Sequence, residues 1–417
     1  MRFLRSSSTA FLFLLASVNQ PACRRPFPDT EGREPSILRS KPIPFHSTNK
    51  SAEPYLHTDP AGIVWMSWLE TRGETAYLRY SKLSDSGWMP SRTVDSSLQW
   101  FVNWADYPQL ASDGKGGLIA CAMARSGRGK YAYDIHLYRS ANGTDWKGPF
   151  KAHDDGREAE HGFVSFAHWN GRFLVAWLDG RHTVGEGDSD SHQGHGGAMS
   201  LRAAWTEPDG KASFPGWEVD GRTCDCCQTA LAVTASGPVV AFRDRGEDEV
   251  RDIAVSLFDG KSWTKPRRIH PDGWRIDGCP VNGPRMDAAG NGLAIAWFTA
   301  PENRPAVKVV FSPDGGRSFG GPVSIDEGAP LGRVDLCMAD DTSAWVSWME
   351  KDLLKTAYVT PRGRGNPVTV AQSSSNRSSG FPQMTRQGRR LIFAWTDDRA
   401  GHSIRTAYVD TDSIPRP

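Results

Sequence analysis

The chain has 417 residues, with Lys+Arg 49 against Asp+Glu 48, a formal net charge of +1, 42 glycines and 16 tryptophans. A charge so close to zero argues against a nucleic-acid binder working through a basic surface, and no polyanion partner is implied. A length that ordinarily means two or three domains fits one domain when the sequence repeats, and the abundance of turn residues and tryptophan suits a turn-rich all-β array.

The chain opens on Met1-Arg2-Phe3-Leu4-Arg5, followed by an apolar run over 10–18. The run is too short to cross a bilayer, so residues 1–22 read as a cleaved export signal, and no transmembrane span is expected. Cys23 follows Ala22 as a lipid-bearing cysteine would, although Gln20 and Pro21 stand where such a signal has an aliphatic and a small residue. Anchoring through Cys23 is the alternative to release. Residues 23–35 form a linker or tether, and 36–417 a single domain.

Within that domain no segment has an amphipathic helical period, and units recur roughly every fifty residues from near His57, Tyr107, Gly162, Cys224, Cys279, Ala329 and Phe381. Each second strand sets an aromatic after small and branched residues, at Trp68, Trp177, Phe242, Trp297, Trp348 and Trp395; the second unit has Ala122 there. Between strands lie hairpins of the form Ser-x-Asp-x-Gly-x-x-aromatic, complete over 312–319 and degenerate over 140–146, 258–263 and 84–88. In such a turn the Asp side chain bonds its own backbone and glycine accepts positive φ. The pattern predicts an all-β propeller of four-stranded blades, seven by this count with six as the alternative. The last unit shows three strands, so the 36–43 segment is expected to supply the fourth, closing the ring and removing two open edges.

An acid two residues after the strand-two aromatic, with an arginine close behind, recurs as Glu70/Arg72, Asp179/Arg181, Asp244/Arg245 and Asp397/Arg399. Pairs repeated in most blades read as loop braces. Three features occur once: an insertion over 181–199 containing His182, His192 and His195, the run Cys224-Asp225-Cys226-Cys227-Gln228-Thr229, and the segment 274–285 ending at Arg285. Aligning units on the glycine turn puts Cys226 in register with Cys279, both entering inner strands at the channel mouth, where Asp106, Glu160 and His161 also fall. The cysteines have three readings. Disulfides among Cys224, Cys226, Cys227 and Cys279 would staple blade four to blade five. Alternatively, those four thiols with His192 and His195 would hold Zn(II) or Cu(I), or Cys224-x-x-Cys227 would be a redox pair. Cys121 and Cys337 read as buried apolar fillers.

The hairpins, the repeat period and the export signal together resemble the sialidase-like group of Asp-box (BNR) propellers, over roughly residues 36 to 412. The resemblance implies six blades, an arginine triad for the substrate carboxylate, a Tyr/Glu nucleophile pair and an aspartate acid/base. This chain departs from it in its seven units and in Glu53-Pro54-Tyr55-Leu56-His57, which lacks the arginine of the family's first-blade motif. Arg285 and Arg333 are the candidates for a rebuilt carboxylate clamp and Asp106 or Glu160 for the acid/base; no motif marks a Tyr/Glu pair. The implied activity is exo-hydrolysis of acidic, sialic-acid-like sugars from glycans by an exported monomer. The alternative is a non-catalytic propeller that binds a metal, glycan or protein through its cysteine-rich rim.

Overall fold

The computed structural model describes residues 39–46, 50–183, 197–207, 209–213, 216–399 and 401–417. The export signal, the linker, Cys23, His192 and His195 lie outside the described residues. Seven antiparallel sheets form a propeller, each built outward in chain order from an inner strand: Ser51–Thr58, Leu110–Ser112, His161–Trp169, Ala230–Thr234, Arg285–Ala289, Pro330–Met338 and Gln383–Gln387. Blades one and six carry a fifth short strand. All seven inner strands line a channel of about 470 Å³.

The last blade has three strands of its own, and Lys41–Pro42 is the fourth, with Lys41 opposite Tyr408 and Pro42 opposite Ala407. The Ile43 amide donates to the Thr406 carbonyl at 2.9 Å, and Phe45 then sets its ring edge-on to Trp68 of blade one, 5.0 Å between centroids. Ring closure therefore couples strand pairing to a packed aromatic across the seam.

One apolar cluster fills each interface between neighbouring blades, because alternate strand residues face opposite neighbours. Trp68, Trp177, Phe242, Trp297, Trp348 and Trp395 are all buried in these clusters. Between blades one and two Ala122 leaves a gap, and Trp100, Trp65, Tyr80 and Tyr138 fill it from neighbouring positions. The recurrent acids close the polar side of the same arrangement. Asp179 accepts the Trp177 indole N–H at 2.9 Å, and Glu350 that of Trp348 at 2.8 Å. Arg72, Arg181 and Arg399 pair with the acid two residues before them, at 2.5, 2.7 and 3.0 Å.

The hairpin over 312–319 works as its residue types require. Asp314 accepts the Ser318 amide at 2.8 Å, the Ser312 hydroxyl accepts the Gly316 amide at 2.8 Å, and Gly315 and Gly316 have φ of 72° and 87°. Asp259 and Asn142 bond their own turns in the same way.

Candidate functional site

Bulges mark the entries to three inner strands. Register slips between Ala52 and Tyr55, Gly162 and Ser165, and Gly332 and Asp335. Glu53, Phe163 and Arg333 sit in these slips with φ of 50°, 54° and 51°. Left-handed backbone at such residues costs on the order of 1 kcal/mol each and re-aims side chains, as bulges beside functional sites do. Phe163 so placed lines the channel mouth, and Arg333 lies over the ring of Trp104, which also lines it.

A cavity of about 710 Å³ opens there, lined by Trp104, Tyr131, Glu160, Asp225, the Cys226–Cys279 pair, Arg245, Arg251 and Arg377. Glu160 accepts the Tyr133 hydroxyl at 2.8 Å. Burial pushes its carboxyl up to about 8, against the opposing effect of that hydrogen bond. Nearby, both oxygens of Asp106 face the Phe163 amide at 3.0 Å, and burial lifts this carboxyl to about 7. Gly162 lies between the two acids, and a side chain there would collide with Asp106 and Tyr133.

The cysteine run forms the wall towards blades four and five. Cys226 and Cys279 are joined by a disulfide with a Cα separation of 6.2 Å, so neither offers a thiolate to a metal. Cys224 and Cys227 are buried free thiols, 3.2 Å apart. Burial opposes ionisation of Cys224, but the Cys227 thiol and the Arg251 and Arg243 charges outweigh it and hold Cys224 below the ordinary thiol range; Cys227 is pushed up by burial. Arg251 donates to the Cys224 sulfur at 3.4 Å and pairs with Glu249 at 2.8 Å. Gln228 crosses the rim floor, donating to the Ala105 carbonyl at 2.7 Å while its own carbonyl accepts the Gly283 amide at 3.0 Å. Cys121 and Cys337 are buried among apolar side chains.

Arg285 and Arg333 flank this cavity without lining it. The Arg285 guanidinium lies in the channel throat, donating to Gln383 at 2.5 Å, 3.5 Å from Asp335 and over the Tyr107 ring at 5.2 Å. Arg333 donates to the Ser379 hydroxyl at 2.7 Å and to the carbonyls of Asn376 and Ser375, which braces the loop entering blade seven. Both guanidiniums are thus committed to protein partners.

The cavity's own cations come from positions that the repeat pattern concealed. Arg245 occupies the brace position of blade four, yet its side chain turns to Glu249 at 3.0 Å and Asp225 at 3.2 Å instead of to Asp244. Arg377, exposed on the loop that Arg333 braces, lies 5.8 Å over the Trp104 ring, which also stacks on Phe381. Trp104 and Tyr131 carry no motif, so nothing in the sequence distinguishes them from core aromatics. The diversion of Arg245 had one visible signal, the shortened spacing of Asp244 to Arg245.

No family model matches the chain, and no curated protein matches it. Solved structures do. The polysaccharide lyase Uly1 superposes with a TM-score of 0.54 and 10% identity, over 92% of this chain and 94% of that one. An alpha-L-arabinofuranosidase from Fusarium graminearum in complex with an iminosugar inhibitor gives a TM-score of 0.50 and 10% identity, over 91% and 98%. The Hadza microbial sialidase Hz136 gives 0.43 and 14% identity over 78% of this chain, which spans 66% of that one. At these identities the likeness is one of fold: a β-propeller of a kind that carbohydrate-active proteins share. Among the described residues no helix is long and apolar enough to cross a membrane.

Proposed function

We propose that the protein is an exported propeller that cleaves an acidic glycan, holding it in the rim cavity with Glu160 as the proton-donating carboxyl. The observation that carries this reading is the composition of that one cavity: a buried carboxyl oriented by Tyr133, two aromatic rings, and Arg377 exposed over the Trp104 ring, with Arg245 and Arg251 in the wall paired to Asp225 and Glu249. Arginine suits a sugar carboxylate through its planar fork. Aromatic faces with a few placed polar groups suit a saccharide. Glu160 would give its proton to the departing glycosidic oxygen while water bonds to the anomeric carbon and its released proton restores the acid, a step that general acid catalysis accelerates by about 10²–10⁴-fold.

Export is supported by the N-terminal pattern and by the Cys226–Cys279 disulfide, a bond that persists in oxidising compartments. An acidic sugar of the sialic-acid class is the substrate that the resemblance to sialidase-like propellers suggests. The test is release of acidic sugars from sialoside reporters and uronate-containing polysaccharides by the wild type, Glu160→Gln and Arg377→Ala. Glu160→Gln should lose at least about 100-fold in turnover while still binding, and Arg377→Ala should raise KM. Turnover unchanged in Glu160→Gln would remove Glu160 from the chemistry.

One observation favours a second reading, binding without cleavage. Arg285 and Arg333 are held by protein partners, so the clamp that the family pattern calls for is not assembled from them. Saturable binding of an acidic glycan with no product from either protein would select that reading.

A further inference from the structure

The cavity wall towards blades four and five holds four sulfurs in two layers. The Cys226–Cys279 disulfide lines the cavity, with Cys279 exposed and Cys226 half-buried. Cys224 and Cys227 are free thiols, 0% and 1% exposed and 3.2 Å apart. The sulfurs of Cys224, Cys226 and Cys279 all lie within 4.8 Å of one another. The two segments that bear them are pressed together: a Cβ on Gly283 would collide with the Gln228 backbone, and the Asn282 amide faces the Cys227 sulfur. A dithiol and a disulfide thus share one packed cluster, and the proposed cleavage uses neither.

Exchange between a thiol and a disulfide needs a thiolate to attack, and positive charge beside a cysteine favours that form. Arg251 donates to the Cys224 sulfur at 3.4 Å, and its pair with Glu249 at 2.8 Å holds the guanidinium in place. Arg243 adds a second charge, fixed by the carbonyls of Arg251, Asn282 and Phe298. Burial opposes ionisation of Cys224, yet the Cys227 S–H and these two charges hold it below the ordinary thiol range; burial pushes Cys227 up. The buried pair is therefore differentiated, with Cys224 as the attacking sulfur and Cys227 as the sulfur that keeps its proton. A change of χ1 rotamer swings a cysteine sulfur by roughly 3 Å, enough to close a gap of under 4.8 Å to a bond.

We infer that the four cysteines form one thiol–disulfide exchange site, in which Cys224 and Cys227 pass two electrons to the rim disulfide. In the first step the Cys224 thiolate attacks Cys279 Sγ. The Cys224–Cys279 bond forms, the Cys226–Cys279 bond breaks, and its electron pair leaves on Cys226. Cys227 then gives its proton to the Cys226 thiolate and attacks Cys224 Sγ. The Cys224–Cys227 bond forms and Cys279 leaves as a thiolate. One disulfide, one thiol and one thiolate stand at the start and at the end, so no outside oxidant enters. The product closes the Cys-x-x-Cys spacing found in exchange-active pairs. A cross-link that spanned 53 residues and joined the entries of blades four and five becomes a local one, and two sulfurs are released at the cavity wall.

The test is trapping in the folded full chain at neutral pH with N-ethylmaleimide, followed by acid quench and peptide mapping. The maleimide consumes rim thiols as they form, so an exchange that favours the starting pair is still drawn forward. Label is expected on Cys226 and Cys279 together with a new Cys224–Cys227 bond, while the buried Cys121 and Cys337 stay unlabelled. Cys227→Ser should stop after the first step, with label on Cys226 alone and a Cys224–Cys279 bond. Cys224→Ser should keep the original disulfide and take no label at the cluster. Arg251→Met should slow labelling more below neutral pH than above it, because the thiolate loses a neighbouring charge. If the variants do not fold, the wild-type map still decides. Label on Cys224 or Cys227 in the folded wild type would overturn the exchange, as would no label on any of the four, or a purified protein in which both pairs are already bonded. No glycan takes part, so the outcome is independent of cleavage through Glu160.

Discussion

Asp106→Asn tests whether burial keeps a carboxyl protonated at the channel mouth. The substitution preserves shape and one acceptor for the Phe163 amide, which lies 3.0 Å from both oxygens of the native carboxyl. Burial raises the native carboxyl from 3.8 to about 7. Below 3.8 it is protonated in both folded and unfolded chains, and its contribution to stability is fully present. Between 3.8 and about 7 the folded protein retains a proton that the unfolded chain has lost, so stability falls as pH rises, and above that window the loss is complete. At 1.36 kcal/mol per unit the loss is about 4 kcal/mol, and relaxation around the charged form reduces it to about 2–4 kcal/mol. Asparagine does not titrate. Relative to wild type, Asp106→Asn should therefore gain about 2–4 kcal/mol on going from pH 4 to pH 8. A domain of about 380 residues unfolds with an entropy of roughly 0.8 kcal/mol per degree, so the difference in Tm should grow by roughly 3–5 °C. Glu53 and Glu160, which burial lifts to about 7 and about 8, titrate in both proteins and largely cancel from the difference. Differential scanning fluorimetry across that range supplies the measurement. A difference that stays constant within about 1 °C would show that Asp106 is ionised in the folded protein at neutral pH, and the reasoning from burial would fail.

Three further outcomes follow from the packing. Replacing both Cys226 and Cys279 by serine releases a cross-link spanning 53 residues, which the chain-entropy model values at about 4 kcal/mol, so Tm should fall by roughly 5 °C; a fall under about 1 °C would mean that the bond constrains little. Arg243→Met orphans the carbonyls of Arg251, Asn282 and Phe298, which the buried guanidinium now serves at 2.6, 2.8 and 2.7 Å. The loss should be about 3–5 kcal/mol in chemical denaturation, with the Cys224 thiol becoming less acidic as a nearby charge disappears. Phe45→Ala removes the ring between Trp68 and Trp88 at the closing seam and should cost about 2–3 kcal/mol. Amide exchange in Ser403–Asp410 should accelerate before that of any other strand of blade seven; uniform exchange would place the weak point elsewhere.

The architecture was legible because propeller blades are repeats, and repetition exposes what a single copy hides. Seven units, their strand-two aromatics and the donated closing strand could be read from spacing, since each blade must bury the same face against its neighbour. The bulges were not legible. A one-residue slip at Glu53, Phe163 or Arg333 leaves no compositional mark, yet it decides which side chains reach the mouth. Arg285 and Arg333 were sought for their charge, but sequence does not reveal that Gln383, Asp335 and the carbonyls of the 375–376 loop already occupy them. Hydrogen-bond commitment is a property of the folded neighbourhood, so an arginine's availability is settled only there.

Arg245 shows how scaffold and site share one vocabulary. In blades one, three and seven the acid after the strand-two aromatic keeps its arginine close, and the pair braces a loop. In blade four the arginine follows Asp244 directly, and one residue less of separation turns its side chain away from that acid. It meets Glu249 and Asp225 instead, and with Arg251 surrounds the cysteine run. The same residue type, moved by one position, changes from brace to cavity wall. Repetition therefore remains the right first filter for function in a propeller, provided that it compares spacing as well as residue type: the departure of a repeated pair from its own register is as informative as a residue that occurs once.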